Sequence, residues 1–188
     1  MKPSRLFVAI DPAPGVRAHI EDALARVRPI APSARWVGAA SLHVTLAFLG
    51  DTPDERIPEL EAAIAAAVGP HDPFDLCFRG AGVFGGRCPH VLWAGVAGDA
   101  TAVASLQRDV AAAVTSLGWV LEDRPYSPHV TLARSRERRG DLRLAACEAA
   151  LAGEDFGVTR VDAAVLYRSD LTPAGPRYVR LAVLPLSA

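Results

Sequence analysis

The sequence predicts an α+β fold whose two halves carry the same signature. Strand and helix patterns alternate along all 188 residues with no low-complexity linker, and the pentapeptide His-Val-Thr-Leu-Ala occurs at residues 43–47 and again at 129–133. With 51% hydrophobic and 22% charged residues, the chain can also bury a sizeable core, enough for one domain or two small, closely joined lobes.

The first apolar run, RLFVAID at residues 5–11, reads as a buried strand ended by Asp11-Pro12. Val16, Ile20, Ala23, Leu24 and Val27 then recur at helical spacing until Pro29 and Pro32 break the pattern. LHVTLAFLG, residues 42–50, is the next strand and stops at Gly50-Asp51. Residues 53–68 are helical, with Ile57, Leu60, Ile64 and Val68 on one stripe and Gly69-Pro70 as the stop. FDLCFRGAGVFGG (74–86) and HVLWAGVAG (90–98) form a pair of strands around a glycine-rich turn. Asp99 caps a helix through Val103, Leu106, Val110, Val114 and Leu117, closed by Gly118. After PHVTLARS (128–135) come a helical stretch near 142–151 and two closing strands, FGVTRVDAAVLYRS and RYVRLAVLPL.

A formal net charge of −1 excludes a chain that coats nucleic acid or anionic membrane nonspecifically, so any nucleic-acid contact must be local. No stretch approaches the ~20 apolar residues of a membrane span, and LFVAI near the N-terminus is too short for a signal-peptide core. A cytoplasmic location with no membrane partner is expected. Cys77, Cys88 and Cys147 are widely separated and form no CxxC pair, and read as small apolar fillers in a reducing compartment.

The repeat divides its side chains by face, because residues two apart in a strand share one. Val44, Leu46 and Phe48 fall on a core face, with His43, Thr45 and Ala47 opposite; Val130 and Leu132 fall on a core face, with His129, Thr131 and Ala133 opposite. Ordinary β patterning explains Val and Leu in an apolar-rich chain, and β propensity alone accounts for Thr. It does not explain why two of only five histidines occupy identical contexts. His19 sits in the first helix and His71 and His90 border turns, and these three read as incidental.

HVTL at 43–46 and HVTL at 129–132 resemble the paired H-x-T-x motifs of the two-histidine phosphoesterases. RLFVAID, WVGAASLHVTLAFLG, GVFGG followed by HVLWAGV, PHVTLAR and the terminal LYRSDL and GPRYVRL segments look like that superfamily's RNA 2′,3′-cyclic phosphodiesterase branch, historically labelled 2′-5′ RNA ligase. The resemblance covers nearly the whole chain. One departure is GVFGG, where related chains commonly carry Phe-Pro. The resemblance implies a single bilobal domain over 1–188, with two pseudo-symmetric lobes, each an antiparallel sheet with helices, and a His/Thr cleft between them. The substrate it implies is RNA with a 2′,3′-cyclic phosphate end or a cyclic nucleotide, with no obligate protein partner.

In-line opening of a cyclic phosphodiester explains why two copies are needed. A base must deprotonate water on one side of phosphorus while an acid protonates the departing ribose oxygen on the other, and imidazole titrates near working pH. The resemblance implies His43 as proton donor, His129 as acceptor and a ribose 2′-phosphate product; strand alternation alone does not distinguish the two. Thr45 and Thr131 would donate hydroxyls to nonbridging oxygens. Arg134 matches a phosphate-contacting arginine of the family, yet in a regular strand it faces away from His129, so the strand must bend or end near Ala133. Phe48 holds the same offset after His43 and reads as core, with base stacking as the other reading. RSRERR, residues 134–139, reads as a solvated loop or a guide for an RNA strand. Tyr167, Ser169 and Tyr178 match family positions without an assigned role.

No carboxylate or second histidine stands at metal-ligand spacing from either motif, so neither metal nor other cofactor is expected. With no phosphate-cradling glycine loop and Lys2 the only lysine, ATP-driven ligation is not expected. The alternatives are a noncatalytic RNA-end-binding module, or ATP-independent 2′-5′ ligation as the reverse-type activity.

Overall fold

The computed structural model describes residues 3–172 and 175–187. Nine strands and four α-helices alternate in the order β1 (Ser4–Ile10), α1 (Pro14–Val27), β2 (Arg35–Trp36), β3 (Val44–Thr52), α2 (Ile57–Val68), β4 (Phe74–Phe84), β5 (Val91–Gly98), α3 (Ala100–Ser116), β6 (His129–Arg134), α4 (Arg143–Leu151), β7 (Asp155–Val161), β8 (Ala163–Thr172) and β9 (Gly175–Pro185). The strands form one strongly curled antiparallel sheet in the order β7-β4-β5-β6-β3-β1-β8-β9, with β2 beside β6. Four strands lie on each side of the β3–β6 contact. The separate sheet expected for each half is corrected: both HVTLA strands belong to one continuous sheet, joined through the pairing of Val44 with Val130.

The helices cover one face of the sheet. Val16, Ile20 and Leu24 of α1 and Leu60, Ile64 and Val68 of α2 join Leu6, Val8 and Ile10 of β1 in the main core. The opposite, open face carries a smaller cluster of Phe7, Ala9, Val165 and Tyr167. Helix α1 follows β1 but packs against β7 and α4 in the other half, whereas α2 and α3 pack together behind β3, β8 and β9. Among the described residues no helix is long and apolar enough to cross a membrane.

Asp99 caps α3 as expected, its carboxylate accepting from the Ala102 N–H at 2.9 Å, and Gly118 closes it at φ +93°, a backbone conformation natural to glycine. Three further expectations are corrected. FGVTRVDAAVLYRS is two strands rather than one: Asp162 separates β7, which pairs with β4, from β8, which pairs with β1 and β9. The helix expected from residue 53 opens with a 3₁₀ turn, Asp54–Arg56, before α2. Among the cysteines, Cys147 is a buried filler, but Cys88 is exposed in the β4–β5 turn.

The end of β3 is held by a polar contact inside the core. Thr52 is fully buried, and its Oγ1 accepts from the Trp119 indole N–H at 3.2 Å. Thr52→Val keeps the shape but leaves that N–H unpaired, which costs about 1–3 kcal/mol. A urea midpoint lowered accordingly is expected, and an unchanged midpoint would show that the bond contributes nothing.

Candidate active site

The two HVTLA strands share an irregularity that positions the site. In β3, Ala9 pairs with Thr45 and Val8 with Ala47, so Leu46 is an extra, unpaired residue. In β6, Trp93 pairs with Thr131 and Leu92 with Ala133, so Leu132 is the extra one. A β-bulge inserts a residue without advancing the alternation, and it bends and twists the strand. Both extra leucines stay buried in the main core.

The bulges settle where the residues after each motif point. Arg134 pairs with Val91, two residues from the Trp93–Thr131 pair, so it lies on the same face as Thr131 and His129. The bend that Arg134 requires is therefore present. Phe48 pairs with Phe7, and so shares the open face with Thr45 rather than the core face. Its 43% exposure corrects the expectation that it is core. Ala47 and Ala133, expected beside the histidines, are buried in the main core instead.

Both histidines are oriented by the same bond. His43 Nδ1 lies 2.8 Å from the Ser41 carbonyl oxygen, and His129 Nδ1 lies 2.8 Å from the Ser127 carbonyl oxygen. A carbonyl only accepts, so each Nδ1 carries the proton and each Nε2 is left to take or give one. The repeat thus begins at Ser, two residues before His, in SLHVTLA and SPHVTLA; residue type alone does not mark that start, because the bond uses the serine backbone rather than its side chain. Tyr126 ties the strands further, its hydroxyl donating to the Thr45 carbonyl at 3.2 Å.

Aromatic side chains wall both imidazoles. His43 lies 4.9 Å from the Phe7 ring and 5.3 Å from Tyr178, edge to face. His129 lies 5.0 Å from Phe84, edge to face, and 6.2 Å from Trp93. Gly82 makes room for that indole, since a Cβ there would fall 2.1 Å from it. Burial is the main reason both imidazoles titrate below their ordinary value of 6.5. The smaller influences differ. Asp11 raises the pKa of His43, partly opposed by Arg17 and His129, whereas Arg134 lowers that of His129. Asp11 is itself held by the Tyr167 hydroxyl at 2.8 Å, by Arg17 at 2.9 Å and by Arg180 at 2.6 Å.

Arg134 also stands directly opposite Arg35 on β2, and like charges facing across strands are unfavourable without an anion between them. Among the described residues neither guanidinium has a carboxylate partner, and the charges of Arg134, Arg35 and Arg5 all act on the Tyr178 phenol. Neither the Thr45 nor the Thr131 hydroxyl bonds to the protein among the described residues. Paired imidazoles, hydroxyls and cations on one open face are suited to a phosphate group and to proton transfer at it. By contrast, His19 bonds to the Phe156 carbonyl at 3.1 Å and His71 pairs with Asp109 at 3.0 Å, away from this face. Arg136, Arg138 and Arg139 are exposed in the loop after β6. Among the described residues no group of three or more His, Cys, Asp or Glu side chains is gathered to hold a metal. Phe7, Asp11, Arg35, Phe84 and Trp93 carry no functional signal in the sequence, because only the fold brings them to this face.

A curled α+β sheet with two His-x-Thr strands meeting at its centre defines a two-histidine phosphoesterase. Comparison with known proteins agrees: the family model of the 2′-5′ RNA ligase superfamily matches residues 16–173. The chain belongs to that superfamily and, within it, to the RNA 2′,3′-cyclic phosphodiesterase family, whose members are phosphodiesterase hydrolases. It is 33% identical to the RNA 2′,3′-cyclic phosphodiesterase of Methanothermobacter thermautotrophicus over 183 residues, covering 97% of this chain and 98% of that one. It is 35% identical to the Geobacillus stearothermophilus protein of the same name over 188 residues, covering 99% of this chain but only 58% of that relative's length. The crystal structure of Escherichia coli LigT complexed with 3′-AMP superposes with a TM-score of 0.80 at 27% identity, covering 99% of each chain.

Because folding lowers both histidine pKa values, each favours the folded state above the unfolded value near 6.5, and that contribution is lost as pH falls through the lowered folded value. Imidazole titration by NMR should place both midpoints below 6.5 in the free protein. Added inorganic phosphate should move both upward, since an anion favours the imidazolium. Midpoints at or above the ordinary value without phosphate would contradict the burial of these rings.

Proposed function

We propose that this chain hydrolyses RNA 2′,3′-cyclic phosphate ends to 2′-phosphates by paired histidine acid–base catalysis, without metal or ATP. The observation that carries this reading is the matched pair of imidazoles, each fixed through Nδ1 to a carbonyl two residues upstream and each left with Nε2 unbonded among the described residues. The chain acts as one bilobal domain whose pseudo-symmetric halves place a histidine on either side of the phosphorus. His129 Nε2 takes a proton from water as its oxygen attacks, the bond from phosphorus to the ribose 3′ oxygen breaks, and His43 gives its proton to that leaving oxygen. Thr45, Thr131 and Arg134 hold the nonbridging oxygens as charge develops on them. The RNA 2′,3′-cyclic phosphodiesterase relatives and the 3′-AMP complex of LigT support a ribonucleotide end as the substrate.

The electrostatic difference between the two sites favours this division of roles. A general acid must hold its proton, and Asp11 pushes His43 in that direction; a general base must be free of one, and Arg134 pushes His129 in that direction. Both begin below 6.5, so the bound phosphate supplies the rest of the rise that His43 needs.

Incubation with an RNA oligomer ending in a 2′,3′-cyclic phosphate, with chelator and no ATP, should give the 2′-phosphate. His43→Ala and His129→Ala should each lower turnover by about 10²–10⁴-fold or more while leaving the fold intact; near-normal turnover in either variant would sink the assignment. Activity lost in chelator and restored by added metal would count against a metal-free mechanism. In the pH profile of kcat/KM, Asp11→Asn should move the alkaline limb to lower pH by lowering the pKa of His43. Arg134→Gln should move the acid limb to higher pH by raising that of His129. Shifts confined to the opposite limbs would reverse the roles.

A further inference from the structure

The carbonyl that orients His43 belongs to a turn that is itself held from outside. Ala39–Ser41 form a 3₁₀ turn just ahead of β3, and Ser41, its last residue, supplies the oxygen that accepts from His43 Nδ1. The turn's own closing bond is long, 3.3 Å from the Leu42 N–H to the Ala39 carbonyl. A shorter bond reaches the same carbonyl from helix α1, where Arg17 Nη1 donates to it at 2.7 Å. Arg17 Nε donates to the Pro12 carbonyl at 2.8 Å, and Nη2 donates to the Asp11 carboxylate at 2.9 Å. One guanidinium, 17% exposed, thus ties the β1–α1 connection to the turn before His43, with its rigid planar fork used in three directions. As a charge, Arg17 works against the proposed acid. It lowers the pKa of His43, and it pairs with Asp11, the carboxylate that raises it. A cation beside a proton donor is poorly explained by electrostatics, whereas a fork that fixes two backbone carbonyls is explained by geometry. Ahead of His129 the tether is different, the Tyr126 hydroxyl reaching the Thr45 carbonyl. A change at Arg17 should therefore reach one histidine and spare the other.

We propose that Arg17 is a positioning residue of the reaction: by clamping the Ala39 carbonyl to the β1–α1 connection it fixes the Ser41 carbonyl, and through it the direction in which His43 Nε2 delivers its proton. The proposal rests on the hydrolase reading above and adds to it a residue of helix α1 that bonds to neither imidazole. Loss of the clamp costs rate rather than binding, since a misplacement of about 1 Å can lower turnover by about 10²-fold.

The test compares Arg17→Lys and Arg17→Gln with the wild-type chain. Both should lower kcat on a 2′,3′-cyclic mononucleotide by about tenfold to a hundredfold, with KM close to wild type. Lysine keeps the charge but lacks the fork that spans three acceptors, so wild-type turnover in Arg17→Lys overturns the proposal. Wild-type or higher turnover in Arg17→Gln overturns it as well, because the charge of Arg17 then acts only against His43. Nitrogen NMR of the imidazoles, at a pH where both rings are neutral, reads position separately. In both variants His43 should become a mixture of Nδ1–H and Nε2–H tautomers while His129 keeps Nδ1–H. An unchanged His43 tautomer, or an equal change at both histidines, overturns the proposal. If neither variant folds, the wild-type chain decides: the Arg17 Nε–H and Nη–H protons should exchange slowly with water, and a freely rotating, fast-exchanging guanidinium overturns the clamp. If the wild-type chain turns over no cyclic phosphate, the hydrolase reading fails by itself, and the tautomer comparison still decides whether Arg17 positions His43.

Discussion

The pairing of Val44 with Val130 is the contact on which the site depends. Each valine follows a histidine, so one antiparallel residue pair sets both imidazoles on the same face of a continuous sheet. Antiparallel pairing also makes the strands run in opposite directions, so each histidine neighbours the other strand's Val-Thr segment. A parallel arrangement would put both acid–base groups at the same end. The fold thereby sets the two imidazoles of the proposed acid–base pair on one sheet through a single strand pairing. The bulges at Leu46 and Leu132 finish the construction. They bury the leucine that regular alternation already places in the core and move the following alanine into the core as well, so the residue beyond it returns to the open face.

The energetics of that face have two opposing parts. Aromatic walls and burial disfavour the charged form of both imidazoles, while Arg134 opposite Arg35, with Arg5 nearby, concentrates positive charge that no carboxylate among the described residues pairs with. Both conditions are unfavourable in the free protein, and an anion between the histidines relieves both. Asp11 is the one carboxylate close enough to raise the pKa of His43, and it is pinned by Tyr167, Arg17 and Arg180 rather than left to approach the phosphate. Its negative charge therefore biases one imidazole toward the proton without competing for the cationic site.

Much of this was legible from residues alone, because the signals were periodic. Helix stripes such as Leu60, Ile64 and Val68, the Asp99 cap and the alternation of Val44 with Thr45 follow from spacing, and the duplicated His-x-Thr stood out against an alanine-rich background. What was not legible broke the period. A bulge leaves no mark in a string of apolar residues, so alternation alone puts Phe48 in the core and turns Arg134 away from His129. Asp162 interrupts a run that otherwise reads as one strand, and only the pairing of β7 with β4 and of β8 with β1 divides it. Phe7, Phe84 and Trp93 have the composition of ordinary strand residues; register alone shows that they face the imidazoles.

The two copies of HVTLA are equal through the alanine and differ at the next position, where the bulge returns a side chain to the open face: Phe48 in one strand, Arg134 in the other. A symmetric pair of arginines there would lower the pKa of both histidines alike, whereas the proposed mechanism needs one imidazole neutral and one charged. Arginine on β6 alone lowers the pKa of His129, the proposed base. Phenylalanine at the matching place on β3 adds no charge beside His43, whose pKa the Ser41 carbonyl bond and the Asp11 charge both raise. The duplicated strand geometry thus supplies two equivalent imidazoles, and the single unequal residue after each repeat distinguishes them in the sense that the proposed acid and base roles require.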